Sequence, residues 1–208
     1  MLPELAQRPS SARPMLVLAS ASAYRKTLLA RLGVSFSAQG ANIEEHPIRG
    51  ETPPAQAMRL AEAKARAVAA AHPCALIIGS DQVAVLDDRR VGKPGSYERA
   101  VQQLQEASGK TLHFYTALCL YNCAQGRVHL DVVSSSVVFR QLSQAMIEGY
   151  LQHEPAFDCA GAFKSEGLGI SLLEKMSGDD PTALIGLPLI CLSRMLLTEG
   201  IDVLTDTD

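Results

Sequence analysis

Leu16–Gly33 reads LVLASASAYRKTLLARLG. An apolar run meets two small hydroxyl residues, Ser20 and Ser22, then the adjacent cations Arg25 and Lys26, then leucines at helical spacing. The pattern predicts a buried strand over Met15–Ala19 that hands over to a helix over Ser22–Leu32, with Leu28, Leu29 and Leu32 on one face and Gly33 as its stop. A strand feeding an amphipathic helix is an opening unit of α/β architecture. The junction also has chemical content. A helix N-terminus presents unpaired N–H groups and partial positive charge. Small serines let an anion come close, Arg25 offers a planar fork for phosphate oxygens, and Lys26 adds a point charge. The same residues also suit a plain Ser N-cap followed by a solvated Arg-Lys pair.

Outward from this unit, a short strand is predicted over Val34–Gln39, then a polar loop, GANIEEHPIRGETPP, carrying Glu44 and Glu45. An Ala-rich helix follows from about Pro54 to Ala71. The apolar run Cys74–Gly79 reads as a central strand ending at Ser80-Asp81. Val83–Leu86 and Arg89–Val91 flank a turn at Asp87-Asp88, and Gly92-Lys93-Pro94 forms a tight loop. Ser96 and Ser143 are placed to cap two further helices, and Thr111–Tyr121 and Val128–Arg140 flank the hairpin loop Asn122–Gly126. Ile170–Leu173 reads as a strand, Ser177–Pro181 as a turn and Pro188–Thr198 as a closing helix. The sum is one α/β domain over residues 15–208, with two lobes around a cleft.

Composition narrows the function. The chain has 208 residues, 47 % hydrophobic and 20 % charged, with a net charge of −3, as in an ordinary globular protein. A general nucleic-acid binder would show a basic excess, so any anion site must be local. No apolar run reaches the roughly 18 residues of a membrane span. Residues 1–14, MLPELAQRPSSARP, lack a signal-peptide core and read as a flexible lead-in. Five cysteines without a CxxC pair fit reduced thiols and a cytoplasmic setting. Cys119 and Cys123 lack the His partner that a zinc site would want.

Several polar residues stand where ligands gather. Asp81 follows the central apolar run directly, and open α/β sheets bind ligands at strand carboxyl ends. It reads as a metal ligand or general base, or as a turn cap. Lys64 interrupts an Ala-rich helix and reads as solvated or as a phosphate ligand; Lys93 is held between Gly92 and Pro94. Arg25, Lys64 and Lys93 would hold phosphates, while Glu45 and Asp81 would hold a divalent metal and orient water. That set is the minimum for phosphoanhydride hydrolysis. Neither GxxxxGK[ST] nor GxGxxG occurs.

ASASAYRKTLL, the acidic loop with Glu45, EAKA around Lys64, GSDQV and GKP, in this order, resemble the Maf family of nucleoside triphosphate pyrophosphatases over about Leu16–Leu197. SDQV with AGAFKSEGLGISL and GLPL is similar to the branch acting on 7-methyl-GTP. The resemblance implies an elongated mixed sheet with flanking helices and a central cleft, like the inosine triphosphatases. It implies cleavage of 7-methyl-GTP to 7-methyl-GMP and diphosphate, a divalent cation (Mg, Mn or Co), and a homodimer. Carried over by position, Asp81 matches the proton acceptor, and Ser20, Arg25, Glu45, Lys64 and Lys93 match phosphate and metal positions. Tyr24, Gln82 and Glu166 fall where the family varies with substrate. A carboxylate at 166 would accept both donors on the edge of a guanine, whose N7 methylation adds positive charge. Lys26 stands where a second Arg is common, which loses bidentate geometry. The resemblance also carries an alternative, a nucleotide-binding regulator of septum formation.

Overall fold

Eleven nearly continuously buried residues, Leu76–Leu86, form one central strand of the protein. The computed structural model describes residues 14–205, so the lead-in expected over residues 1–14 lies outside them but for Pro14. In chain order the elements are β1 (Leu16–Leu18), α1 (Ala23–Ala30), β2 (Phe36–Ala38), α2 (Pro53–Ala69), β3 (Leu76–Leu86), β4 (Arg89–Val91), α3 (Tyr97–Ala107), β5 (Thr111–Asn122), β6 (Arg127–Phe139) and α4 (Gln144–His153). A 3-10 helix (Leu168–Leu172), β7 (Leu173–Gly178) and α5 (Leu189–Thr198) complete the chain. The strands form a mixed seven-stranded sheet in the order β2-β1-β3-β5-β6-β7, with β4 also on β3.

Three expectations change. The central strand does not stop at Gly79; it runs through Ser80, Asp81 and Gln82, which pair in register with Leu118, Ala117 and Thr116 of β5. Asp81 is therefore a mid-strand residue, neither a turn cap nor a strand-end ligand. Ile170–Leu173 is not a strand but lies mostly in the 3-10 helix, and Ser177 belongs to β7 rather than to a turn. β7 is an edge strand with mostly exposed side chains, so it lacks the apolar alternation that marks a half-buried strand.

Strand alternation sorts the core into two faces. Leu16, Leu18, Leu76 and Ile78 pack with Leu28 and Leu29 of α1 and with Leu192 and Leu196 of α5. Val17, Ile77 and Cys119 face the other way, against Ala57, Ala61 and Ala65 of α2. A third cluster, from Leu86 to Phe114 and Phe139, lies under α3 and α4.

The topology leaves a gap. On one side β3 is paired by β5 along its whole length. On the other, β1 covers only Leu76–Ile78 and β4 only Ala84–Leu86. Among the described residues, the strand segment Gly79–Val83 between them has no strand neighbour on that edge.

The Ala face of α2 has a steric purpose beyond helix propensity. A Cβ added at Gly79 would lie 2.1 Å from the Ala61 carbonyl oxygen and 3.0 Å from the Ala65 nitrogen, both helix backbone. Glycine on the strand and alanine on the helix thus let the two backbones approach closely. Gly79→Ala must push α2 off the sheet. Denaturant unfolding should show it destabilised by about 1–3 kcal/mol, the usual cost of overpacking; unchanged stability would mean that the approach is not constraining.

Candidate active site

A cleft of about 820 Å³ opens at the bare edge of β3. Ser20, Arg25, Glu45, Lys64, Asp81 and Lys93 all line it, and so do Tyr24, Gln82 and Glu166. They come from the β1–α1 junction, the long loop before α2, α2 itself, β3, the β4–α3 loop and the segment before the 3-10 helix. Asp81 and Gln82 point to opposite faces by alternation, and the unpartnered edge lets both reach the same hollow.

At its centre the Lys64 ammonium bridges two carboxylates. Its Nζ lies 2.6 Å from Asp81 Oδ1 and 2.7 Å from Glu45 Oε1. The Lys64 and Asp81 side chains are both buried, whereas that of Glu45 is 56 % exposed. Lys64 is thus not the solvated residue that its Ala-rich surroundings also allowed. Burial pushes the Asp81 carboxyl above the ordinary aspartate value, with Glu45 acting the same way, while Lys64 and Arg25 oppose the rise. Burial also lowers the Arg25 value from the usual arginine range, against the attraction of Asp81 and Glu45. Two convergent carboxylates, one of them open to the cleft, fit the few protein ligands that magnesium takes when phosphates and water complete its shell.

The β1–α1 junction divides its labour. Ser22 is the N-cap, accepting from the Arg25 amide at 3.4 Å, and Ser20 Oγ accepts from the Ser22 amide at 3.1 Å. Arg25 reaches into the cleft, where its Nε donates to the Gly186 carbonyl at 2.8 Å. Among the described residues its terminal nitrogens make no hydrogen bond, which leaves them open to an anion. Lys26 is exposed and does not line the cleft, so its expected point charge is absent from the site. One helical step turns it away.

The residues expected to vary with substrate are less uniform. Tyr24 donates to Asp158 Oδ1 at 3.3 Å, and the Lys164 ammonium stands 5.8 Å from its ring centroid. Glu166 is exposed and accepts from Ser165 Oγ at 3.4 Å; among the described residues it forms no ion pair with Lys164. Gln82 is already committed. Its amide nitrogen donates to Thr116 Oγ1 and to the Ala183 and Leu184 carbonyls, at 2.9–3.1 Å. Only its carbonyl oxygen remains for a ligand.

Residues 15–199 match the family model described as "Maf-like protein". The chain belongs to the Maf family. Among its curated relatives, the 7-methyl-GTP pyrophosphatase of Nitrosococcus oceani is 53 % identical over 196 residues, 94 % of this chain and 98 % of the relative. The proteins of the same name from Methylobacillus flagellatus and Nitrosospira multiformis are 53 % and 54 % identical, covering 92 % and 90 % of this chain and 100 % and 95 % of their own. The mixed sheet with its five flanking helices is the fold expected of a Maf protein.

Sequence reasoning passed over other contributors to this Maf cleft. Arg90 lines it, fixed by Gln56 Oε1 at 2.6 Å and by the Glu51 carbonyl at 2.5 Å. The doublet Arg89-Arg90 in RRVGKP was the available signal. The Ala183–Gly186 backbone, which supplies the carbonyls, leaves no side-chain signature.

In the metal-free protein, the Asp81 carboxyl should titrate above 3.8, followed by carbon-detected NMR. Lys64→Met removes the cation that most favours the ionised form, so the midpoint should move further up. A midpoint at or below 3.8 in the parent protein would contradict the burial argument.

Proposed function

We propose that this Maf protein hydrolyses 7-methyl-GTP between its α and β phosphates, giving 7-methyl-GMP and pyrophosphate and so keeping a modified nucleotide out of polymerisation. The observation that carries the reading is the convergence of Arg25, Lys64 and Lys93 with Asp81 and Glu45 in one cleft. Its support is that relatives about half identical over nearly their whole length are 7-methyl-GTP pyrophosphatases. A divalent cation, Mg, Mn or Co, would be held by Glu45 and Asp81 and would draw charge from the triphosphate.

The chain's own residues account for binding and proton transfer. The free nitrogens of Arg25 grip phosphate oxygens, with Ser20 at the floor and Lys93 at the exposed rim. Asp81 takes a proton from a water molecule as its oxygen bonds to phosphorus, the phosphoanhydride bond breaks, and pyrophosphate departs. Lys64 holds the Asp81 carboxylate in place and favours its charged form. At the base end, Tyr24 offers a ring that already accepts a cation, worth about 0.5–2 kcal/mol for a methylated, positively charged base. Glu166 accepts the two adjacent donors of the guanine edge. The enzyme acts on a small molecule, in the cytoplasm, as a homodimer. Among the described residues no helix is long and apolar enough to cross a membrane.

The test is pyrophosphate release from a panel of canonical and modified nucleoside triphosphates, with magnesium or manganese. The purified protein should prefer 7-methyl-GTP; nucleotide binding without turnover would favour a regulator instead. Asp81→Asn should keep nucleotide binding and lose most turnover, and a variant at parental rate would place the base elsewhere. Glu166→Gln swaps charge-assisted bonds for neutral ones. It should cost about tenfold more in kcat/KM on 7-methyl-GTP than on GTP; equal losses would remove the charge argument.

A further inference from the structure

The segment that joins β7 to α5 presents three backbone carbonyls to the cleft side chains. Gly186 accepts from Arg25 Nε at 2.8 Å and from Ser80 Oγ at 2.9 Å. Ala183 accepts from Gln82 and Thr116, and Leu184 from Gln82. A backbone carbonyl can orient an arginine only if the loop that carries it is itself held.

Backbone bonds from the Ile185, Gly186 and Leu187 amides to the Thr182 carbonyl close the bend, and the side chains of two residues that do not line the cleft tie it to α5. Asp180 is 3 % exposed. Its Oδ1 accepts from the Thr182 amide at 2.9 Å and the Thr182 hydroxyl at 2.6 Å, and its Oδ2 accepts from the Ile190 amide at 2.8 Å. Thr182 Oγ1 in turn accepts from the Leu189 amide at 2.8 Å. Leu189 and Ile190 are the first two residues of α5, whose N-cap position is Pro188, which makes no side-chain cap. Asp180 and Thr182 therefore cap α5 from across the loop, and the chain between the two anchors is forced into the bend that aims Gly186 at Arg25.

We propose that Asp180 and Thr182 are positioning residues for substrate phosphate, acting through the Gly186 carbonyl on the Arg25 guanidinium. The inference deepens the nucleotide-hydrolase reading and rests on it for the identity of the anion. Loosening the anchor leaves Arg25 in the cleft but unaimed, so binding weakens while Asp81 and Lys64 keep their geometry.

The test is a double-mutant cycle of the parent, Asp180→Asn, Arg25→Ala and the pair. It is read twice: as KM and kcat for 7-methyl-GTP, and as calorimetric binding of inorganic tripolyphosphate, which needs no turnover. Asp180→Asn should raise KM and weaken tripolyphosphate binding about tenfold with little change in kcat, and the loss should vanish in the Arg25→Ala background. Thr182→Val, close in volume, should behave the same way and carries the cycle if Asp180→Asn fails to fold. Equal losses with and without Arg25, or no loss in either, would overturn the proposal. If the parent releases no pyrophosphate, the hydrolase reading fails, and the tripolyphosphate cycle still decides the positioning role.

Discussion

The site depends on how closely a helix lies against a strand. Gly79 has no room for a side chain under the Ala61 carbonyl, and that closeness brings Lys64 Nζ within 2.6 Å of Asp81 Oδ1. As a source of stability the buried pair is a poor choice, because desolvating two charges offsets most of their attraction, and a well-packed apolar pair would serve the fold as well. Removing Lys64 alone, however, leaves the buried Asp81 carboxylate without its ion-pair partner, a loss that costs about 3–5 kcal/mol in buried pairs, whereas removing Asp81 still leaves Lys64 with Glu45. The arrangement makes chemical sense: the Lys64 ammonium opposes the rise that burial imposes on the Asp81 carboxyl and so favours its charged form.

The second constraint is the interrupted edge of β3. A strand covered on both sides would leave no route to its middle. Here β1 ends at Leu18 and the chain turns into α1, while β4 begins to pair only at Ala84. The gap exposes residues of both sheet faces to one hollow: Asp81 from the side of α2, Gln82 from the side that meets the β7–α5 loop. Residues from six separate stretches can then act on one small molecule.

Much of this was legible in the amino-acid pattern, and the exceptions share a cause. The strand-to-helix handover at Ser20–Ser22, the caps Ser22, Ser96 and Ser143, and the hairpin after Asn122 follow local rules that the structure obeys. All nine candidate site residues line one cleft. What local rules missed is polar groups satisfied at long range. Ser80-Asp81-Gln82 looked like the end of a strand because three polar residues seldom sit inside one. They can do so here because Lys64, the Ala117 carbonyl and the loop carbonyls meet them. Lys26, next to Arg25, looked like a second, weaker cation for the same anion and is not, since adjacent helix positions face different directions. Asp180 looked like an ordinary turn residue because the α5 amide it caps, that of Ile190, lies ten positions away.

The central claim is that one cleft holds triphosphate, catalytic carboxylate and base together. A crystal structure of Asp81→Asn with 7-methyl-GTP and magnesium tests it most directly. The account predicts phosphates spanning Arg25, Lys64 and Lys93, the α-phosphorus nearest residue 81, and the methylated base between Tyr24 and Glu166. A nucleotide seated with its base at Lys93, or outside the gap in β3, would contradict it.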